Sequence, residues 1–160
     1  MADSADARLA ELGLTLPPPM DTSSLPFDRI RIDGQHAYLA GHVPLASDGS
    51  GMLKPMGKVG AAVSEEQAYA AARQVALGFL ATIQQAVGSL DAVDGWLKLF
   101  GMVNVAPGFN NIPAVINGAS DLIIEVFGPE VGTHSRSAVG MAELPFSVPV
   151  EIEAELKLKG

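Results

Sequence analysis

Residues 150–158, VEIEAELKL, alternate without a break: Val150, Ile152, Ala154, Leu156 and Leu158 are apolar, and Glu151, Glu153 and Glu155 stand between the first four. Only an extended strand, whose successive side chains point to opposite faces, turns that pattern into one apolar and one acidic surface. The chain must therefore supply a layer to cover the apolar side. Just upstream, Arg136 heads a second strand of small and apolar residues (SRSAVGM), and Leu144-Pro145 breaks the chain between the two. On adjacent strands, one arginine and one carboxylate could bind a small carboxylic acid and hold a water beside it.

The covering layer is legible further back. Ser64 and Gln67 have the spacing of a capping box, and Ala68, Ala71, Ala72, Val75, Phe79 and Ile83 share one helical face, with Gly88 as the stop. A second helix is expected from Pro113 to Phe127, with Asn110 or Asn111 as cap and Gly128-Pro129 as terminator. Asn117-Gly118 inside it reads as a tolerated helix break facing a neighbour. Ile30 and Ile32 alternate with Arg29 and Arg31, Asp33-Gly34 makes a turn, and Ala37 to Val43 returns, which predicts a hairpin. Residues 44–63, rich in Gly, Pro and Ser, form a loop with room for one short strand. Trp96 to Val105 is a further strand, with Leu97, Leu99, Val103 and Val105 on one side. The predicted order is ββ(β)αβαββ, an α+β sheet with two helices on one face. Residues 1–26, with Leu9, Leu12, Leu14 and the Pro17-Pro18-Pro19 run, read as an arm on the body or on a partner subunit, and 27–160 as a single domain. The acidic sheet face and exposed strand edges favour association through the sheets into a closed oligomer.

Composition narrows the chemistry. The absence of cysteine removes disulfides, thiolate metal sites and a cysteine nucleophile, and points to a cytoplasmic location. A net charge of −8 without a Lys/Arg cluster argues against a nucleic-acid partner. No apolar run reaches the ~20 residues of a membrane span, and the acidic N-terminus is unlike a signal peptide. His36, His42 and His134 lack metal-ligand spacing, so no metal is expected; His42 reads as a structural histidine, and His134 and Arg136 flank Ser135 on one strand face. No phosphate-binding loop occurs, and Ser135 and Ser137 lack a base partner. Arg136 is either a planar clamp on a carboxylate or a surface arginine paired with a glutamate. Glu151 is either a carboxylate that activates water or one of three equivalent strand carboxylates.

The run SRSAVGMAELPFSVPVEIEAE, with APGFNNIPAVINGASDLIIEVFG, the YAAARQVALGFLATIQQAVGSLDAV helix and the YLAGHVP strand, resembles the Rid family (reactive-intermediate deaminases, also called YjgF-like or L-PSP-type proteins). The resemblance spans Phe27 to Leu156 and points to a longer subgroup with a proline-rich arm. It implies a chorismate-mutase-like fold, a homotrimer with clefts between subunits, and cofactor-free hydrolysis of small enamines or imines to 2-keto acids and ammonia. An endoribonuclease reading comes from an older family label, and the acidic balance weighs against it. By the same resemblance Arg136 would bind the substrate carboxylate and Glu151 would place the attacking water. Phe27, Ala40, Gly41, Asn117 and Ala138 would shape the cleft. The chain departs from the family where Phe27 replaces tyrosine, Ala40 serine, His42 glutamine and Ala138 a cysteine. A non-catalytic binder of small carboxylates is the second reading.

Overall fold

A computed structural model describes residues 4–160. The elements in chain order are α1 (Ala5–Glu11), β1 (Ile30–Asp33), β2 (His36–His42), α2 (Glu65–Val87), β3 (Val93–Asn104), α3 (Ile112–Gly132), β4 (Ser135–Met141) and β5 (Val150–Leu158). The strands form one sheet in the order β1-β2-β5-β3-β4, in which β3 and β4 run parallel and the other neighbours antiparallel. This is the expected α+β plan with α1 as an additional helix. The loop 44–63 holds isolated bridges (Leu45 with Met52, Val59 with Val63 and Val105) rather than the short strand allowed for. Its positive-φ glycines, among them Gly57 at 118° and Gly60 at 89°, interrupt the extended backbone.

β5 is central because its pattern suits a strand paired on both edges. Val150, Ile152 and Leu156 are fully buried under the helices, while Glu151, Glu153 and Glu155 turn to the other face. β3 departs from the expected side assignment. Its register with β5 slips between Trp96 and Lys98, so Trp96 and Leu99 both point into the core and Leu97 is left exposed. A bulge adds one residue to one strand, and simple alternation across 96–105 therefore misassigns Leu97.

α2 starts on the predicted capping box: the Ser64 hydroxyl accepts from the Gln67 N–H at 3.1 Å, and the Gln67 side chain accepts from the Ser64 N–H at 2.9 Å. Gly88, at φ 86°, closes it in the left-handed conformation. α3 runs unbroken through Asn117-Gly118. The glycine serves packing instead of a break: a Cβ at 118 would overlap the Tyr69 carbonyl oxygen and lie 3.1 Å from the Arg73 nitrogen of α2. The true interruption is Gly128 (φ 74°, ψ 166°), after which Pro129 starts a last turn. Asn111 occupies the N-cap of α3, yet its side chain donates to Glu65 at 2.8 Å and not back to its own helix.

α1 docks where α2 passes into β3. The Asp6 carboxylate accepts from the Ser89 hydroxyl (2.6 Å) and the Leu90 N–H (3.2 Å), the Ala5 N–H donates to Asp91 (2.7 Å), and Leu9 is buried. His42 is fully buried among core side chains, 4.6 Å from the Phe79 ring. Its Nδ1 lies 2.6 Å from the Ala40 carbonyl, which can only accept, so Nε2 is bare and takes the Thr82 hydroxyl at 2.8 Å. Burial, assisted by the nearby Arg29 charge and opposed by the Ala40 bond, lowers its pKa to about 3.

Two outcomes follow from this packing. Gly118→Ala drives a methyl into the α2 backbone and is expected to cost about 3 kcal/mol in chemical denaturation, although alanine ordinarily favours helix. A variant as stable as the parent would show that α3 can move away from α2. His42 is neutral when folded and titrates near 6.5 when unfolded, so its contribution is complete above pH 6.5 and is lost as the pH falls towards 3. His42→Gln should flatten the stability profile between pH 6 and 4 by up to about 1.4 kcal/mol per unit relative to the parent. Parallel profiles in urea would contradict it.

Candidate functional site

Arg136 stands beside Leu99 in the parallel β3–β4 pair and so faces the helices, as Ala138 does beside Gly101. There the half-buried guanidinium meets α3. One terminal nitrogen donates to the Ser120 hydroxyl at 3.0 Å; the other donates to the Pro113 carbonyl at 3.2 Å and to the Asn117 side-chain oxygen at 2.6 Å. These oxygens replace the glutamate that a surface arginine would seek. Of the five N–H donors of a guanidinium, three are committed to α3, which leaves Nε–H and one terminal N–H for a further acceptor.

The same serine touches His134. Ser120 and His134 Nε2 are 3.0 Å apart, and His134 Nδ1 is 2.7 Å from the Gly132 carbonyl. Burial, with the Arg136 charge adding to it and the Gly132 bond opposing it, holds His134 below the ordinary imidazole value. Asn117 was expected near the site; Ser120 was not. Its one visible signal is a polar side chain at i+3 from Asn117, on the same stretch of α3.

Glu151 lies elsewhere. It pairs with Met102 of β3, on the face away from the helices, and β3 separates β5 from β4. The expectation that Arg136 and Glu151 sit on adjacent strands is thus corrected: within one chain they occupy non-adjacent strands and opposite sheet faces. The reason is topological, since β4 reaches the sheet by a parallel crossover from β3 and takes its outer edge, while β5 enters on the other side of β3.

Glu151 leans over Gly41, where a Cβ would overlap its carboxylate oxygen. Gly41 lies in the irregular stretch between Leu39 and His42 where β2 slips against β5. A side chain at 41 would push the Glu151 carboxylate out of this position. Burial raises the pKa of the Glu151 carboxyl, Glu153 adds to the rise, and Arg29 opposes it. Arg29 is itself half-buried, and its Nε is enclosed without a hydrogen-bond partner. Sequence reasoning passed over Arg29 because it reads as one of two arginines on an alternating strand.

The connection that delivers Glu151 is pinned. Buried Asn104 donates to the Val148 carbonyl (3.2 Å), and Lys58 reaches Asn104 (3.0 Å), Glu143 (3.2 Å) and the Ala142 carbonyl. Ala40 lines a hollow of about 350 Å³ on the same outer face, with Tyr38, Phe100, Arg31, Lys98 and Glu153. Phe27, 51% exposed, precedes Asp28, which also lines that hollow. The predicted residues therefore form two groups: Arg136, Asn117 and Ala138 beneath the edge strand, and Glu151, Gly41 and Ala40 on the open face. Among the described residues no group of three or more His, Cys, Asp or Glu could hold a metal ion, and no helix is long and apolar enough to cross a membrane.

Residues 6–151 match the model of the family described as "YjgF/chorismate_mutase-like, putative endoribonuclease". Protein TCP17 of Trypanosoma cruzi is 39% identical over 95% of this chain and 92% of its own length. The crystal structure of Atu1372 from Agrobacterium tumefaciens, a protein of unknown function, is 39% identical with a TM-score of 0.86, covering 98% of this chain and 95% of that one. A "putative endoribonuclease" from Shewanella oneidensis MR-1 is 29% identical with a TM-score of 0.89 over 97% of this chain and 99% of its own. TdcF of E. coli, solved with bound serine, shares the fold at 19% identity and a TM-score of 0.57, over 91% of this chain and 94% of that chain. A family model matched over most of the chain, and a relative 39% identical along nearly its whole length, carry the assignment: this chain belongs to the YjgF/chorismate-mutase-like family.

Proposed function

We propose that the protein is a Rid-type enamine and imine deaminase that converts small 2-amino or 2-imino acid intermediates to 2-keto acids and ammonia. The observation that carries this reading is the anchored guanidinium of Arg136, held on three α3 oxygens with two N–H donors left for a carboxylate. A cation fixed before the ligand arrives gives up little freedom on binding it. The serine bound to TdcF is a small amino acid, which supports a ligand of this class.

In the proposed reaction, the oxygen of a water adds to the imine carbon while the Glu151 carboxylate takes one proton from that water and delivers it to the imine nitrogen, giving the carbinolamine. Glu151 then takes the carbinolamine hydroxyl proton and passes it to the amine as the C=O bond forms and the C–N bond breaks, so that ammonia leaves and the keto acid remains. A carboxyl whose pKa is raised by burial suits both halves of that exchange. Because Arg136 and Glu151 lie on opposite faces of one sheet, a ligand touching both takes them from different copies of the chain. A homotrimer built on the open sheet face, where Tyr38 is 45% exposed and lines a hollow with Phe100, supplies such clefts. Coverage of nearly the whole chain by Atu1372 and TCP17 supports placing it in a longer subgroup that includes the arm. The apolar Ala40, Ala138 and Phe27 favour the second reading, a trimeric binder of small carboxylates without turnover.

Ammonia release from freshly generated 2-aminoacrylate separates the two. The deaminase reading expects turnover above background, a fall of about 10²–10⁴-fold in Glu151→Gln, and a loss of pyruvate affinity of about a hundredfold in Arg136→Ala. Background turnover with pyruvate still bound would leave the binding module. Light scattering should give the mass of three chains; a monomer would remove the shared cleft.

A further inference from the structure

We infer that Ser120 and His134 are positioning residues for the Arg136 guanidinium, forming a directed hydrogen-bond relay from the Gly132 carbonyl to the arginine. The direction is fixed by chemistry at one end. The Gly132 carbonyl, 2.7 Å from His134 Nδ1, can only accept, so the ring carries its proton on Nδ1. In the neutral ring Nε2 is then a bare lone pair, and the Ser120 hydroxyl 3.0 Å away donates to it. With its proton committed, the serine oxygen presents lone pairs to the Arg136 N–H at 3.0 Å. Each bond polarises the next, so the oxygen facing the arginine is a better acceptor than an isolated hydroxyl.

The elements around the relay agree with this. Ser120 is 9% exposed between α3 and the sheet, and Arg136 is the charged group acting on His134; Lys98, beside Ser135 in the β3–β4 register, belongs to the other face. A neutral ring therefore persists at pH 7. The same pair raises the thought of a serine nucleophile with a histidine base, but an oxygen that receives a guanidinium N–H and is buried in the helix–sheet packing is poorly placed to attack a substrate. What the relay does is fix one of the two terminal nitrogens, while Asn117 and Pro113 fix the other. The plane of the fork, and hence the direction of its free N–H donors, is then set before a ligand arrives. The importance for carboxylate binding rests on the functional reading above; the relay itself does not.

Two measurements keep these apart. Nitrogen-15 NMR of the histidine rings, with His134 assigned by its loss in His134→Gln, should show His134 as the Nδ1–H tautomer in the ligand-free protein. An Nε2–H ring or an imidazolium at pH 7 would overturn the relay whatever the protein binds. Pyruvate titration by calorimetry then tests the consequence. Ser120→Ala and His134→Leu are each expected to weaken binding roughly tenfold, the scale of one hydrogen bond to a charged group. His134→Gln, whose side-chain carbonyl can accept the Ser120 proton, should recover most of that loss. Equal affinities in the Leu and Gln variants would overturn the positioning role. Unchanged pyruvate affinity in Arg136→Ala would instead remove the carboxylate reading and leave the tautomer result standing.

Discussion

The contact on which the arrangement depends is the approach of α3 to α2 at Gly118. Because a glycine lets the α3 backbone rest against the Tyr69 carbonyl, the helix lies close to its neighbour while staying packed on the sheet through Ile116, whose side chain occupies the space a Cβ at Gly101 would take. Asn117 and Ser120 flank that contact point. They reach Arg136 on β4 as a consequence of where the helix is held. Tyr69 and Arg73 tie the outer surfaces of the two helices through Asp121 (2.8 Å) and Glu125 (2.6 Å), pairs exposed enough to contribute little energy but consistent in register. Steric fit sets the position, and the polar groups use it.

The sheet order then divides the chemistry. β3 carries β4 on one side and β5 on the other, so a cation at the edge and a carboxylate at the centre are separated by a strand and by the thickness of the sheet. In a fold of this size, a site that needs both cannot be assembled within one chain without bending the sheet. The homotrimer proposed above would meet that need by bringing a second copy's open face to the first copy's edge. The open face is suited to that use: apolar Tyr38, Phe100 and Met102 interleave with carboxylates and with Lys98, a mixture that is neither a closed core nor an ordinary solvated surface.

Much of this was legible in the sequence, for reasons that differ by element. The β5 alternation, the Ser64–Gln67 box and the Gly88 stop are local signals, and local physics decided them. Leu97 was misassigned because a bulge depends on the partner strand, which periodicity does not see. The Asn117-Gly118 pair was read as a break because glycine's freedom is a local property, whereas here its lack of a side chain matters to a different helix. Arg136 and Asn117 were named and His134 was placed beside Arg136, but Ser120, which joins them, was missed, since sixteen residues separate Ser120 from Arg136 in sequence while only 3.0 Å separate their atoms. Adjacency of β4 and β5 was inferred from adjacency in the chain, and the parallel β3–β4 pair defeated it.

The two carboxylate-facing groups also differ in how their charges are managed, and that difference bears on what they can do. Arg136 is held by neutral oxygens next to a histidine that burial keeps uncharged, and no ion pair involving it is found among the described residues. Glu151 is desolvated beside another carboxylate and only partly relieved by Arg29, so its proton is held more firmly than a surface glutamate's. The first environment favours holding an anion and the second favours exchanging a proton. Had Arg136 been paired with a glutamate, the first property would not follow, and had Glu151 been as exposed as its strand neighbour Glu153, neither would the second. The environments of these two residues, more than their identities, therefore distinguish a candidate site from a charged surface.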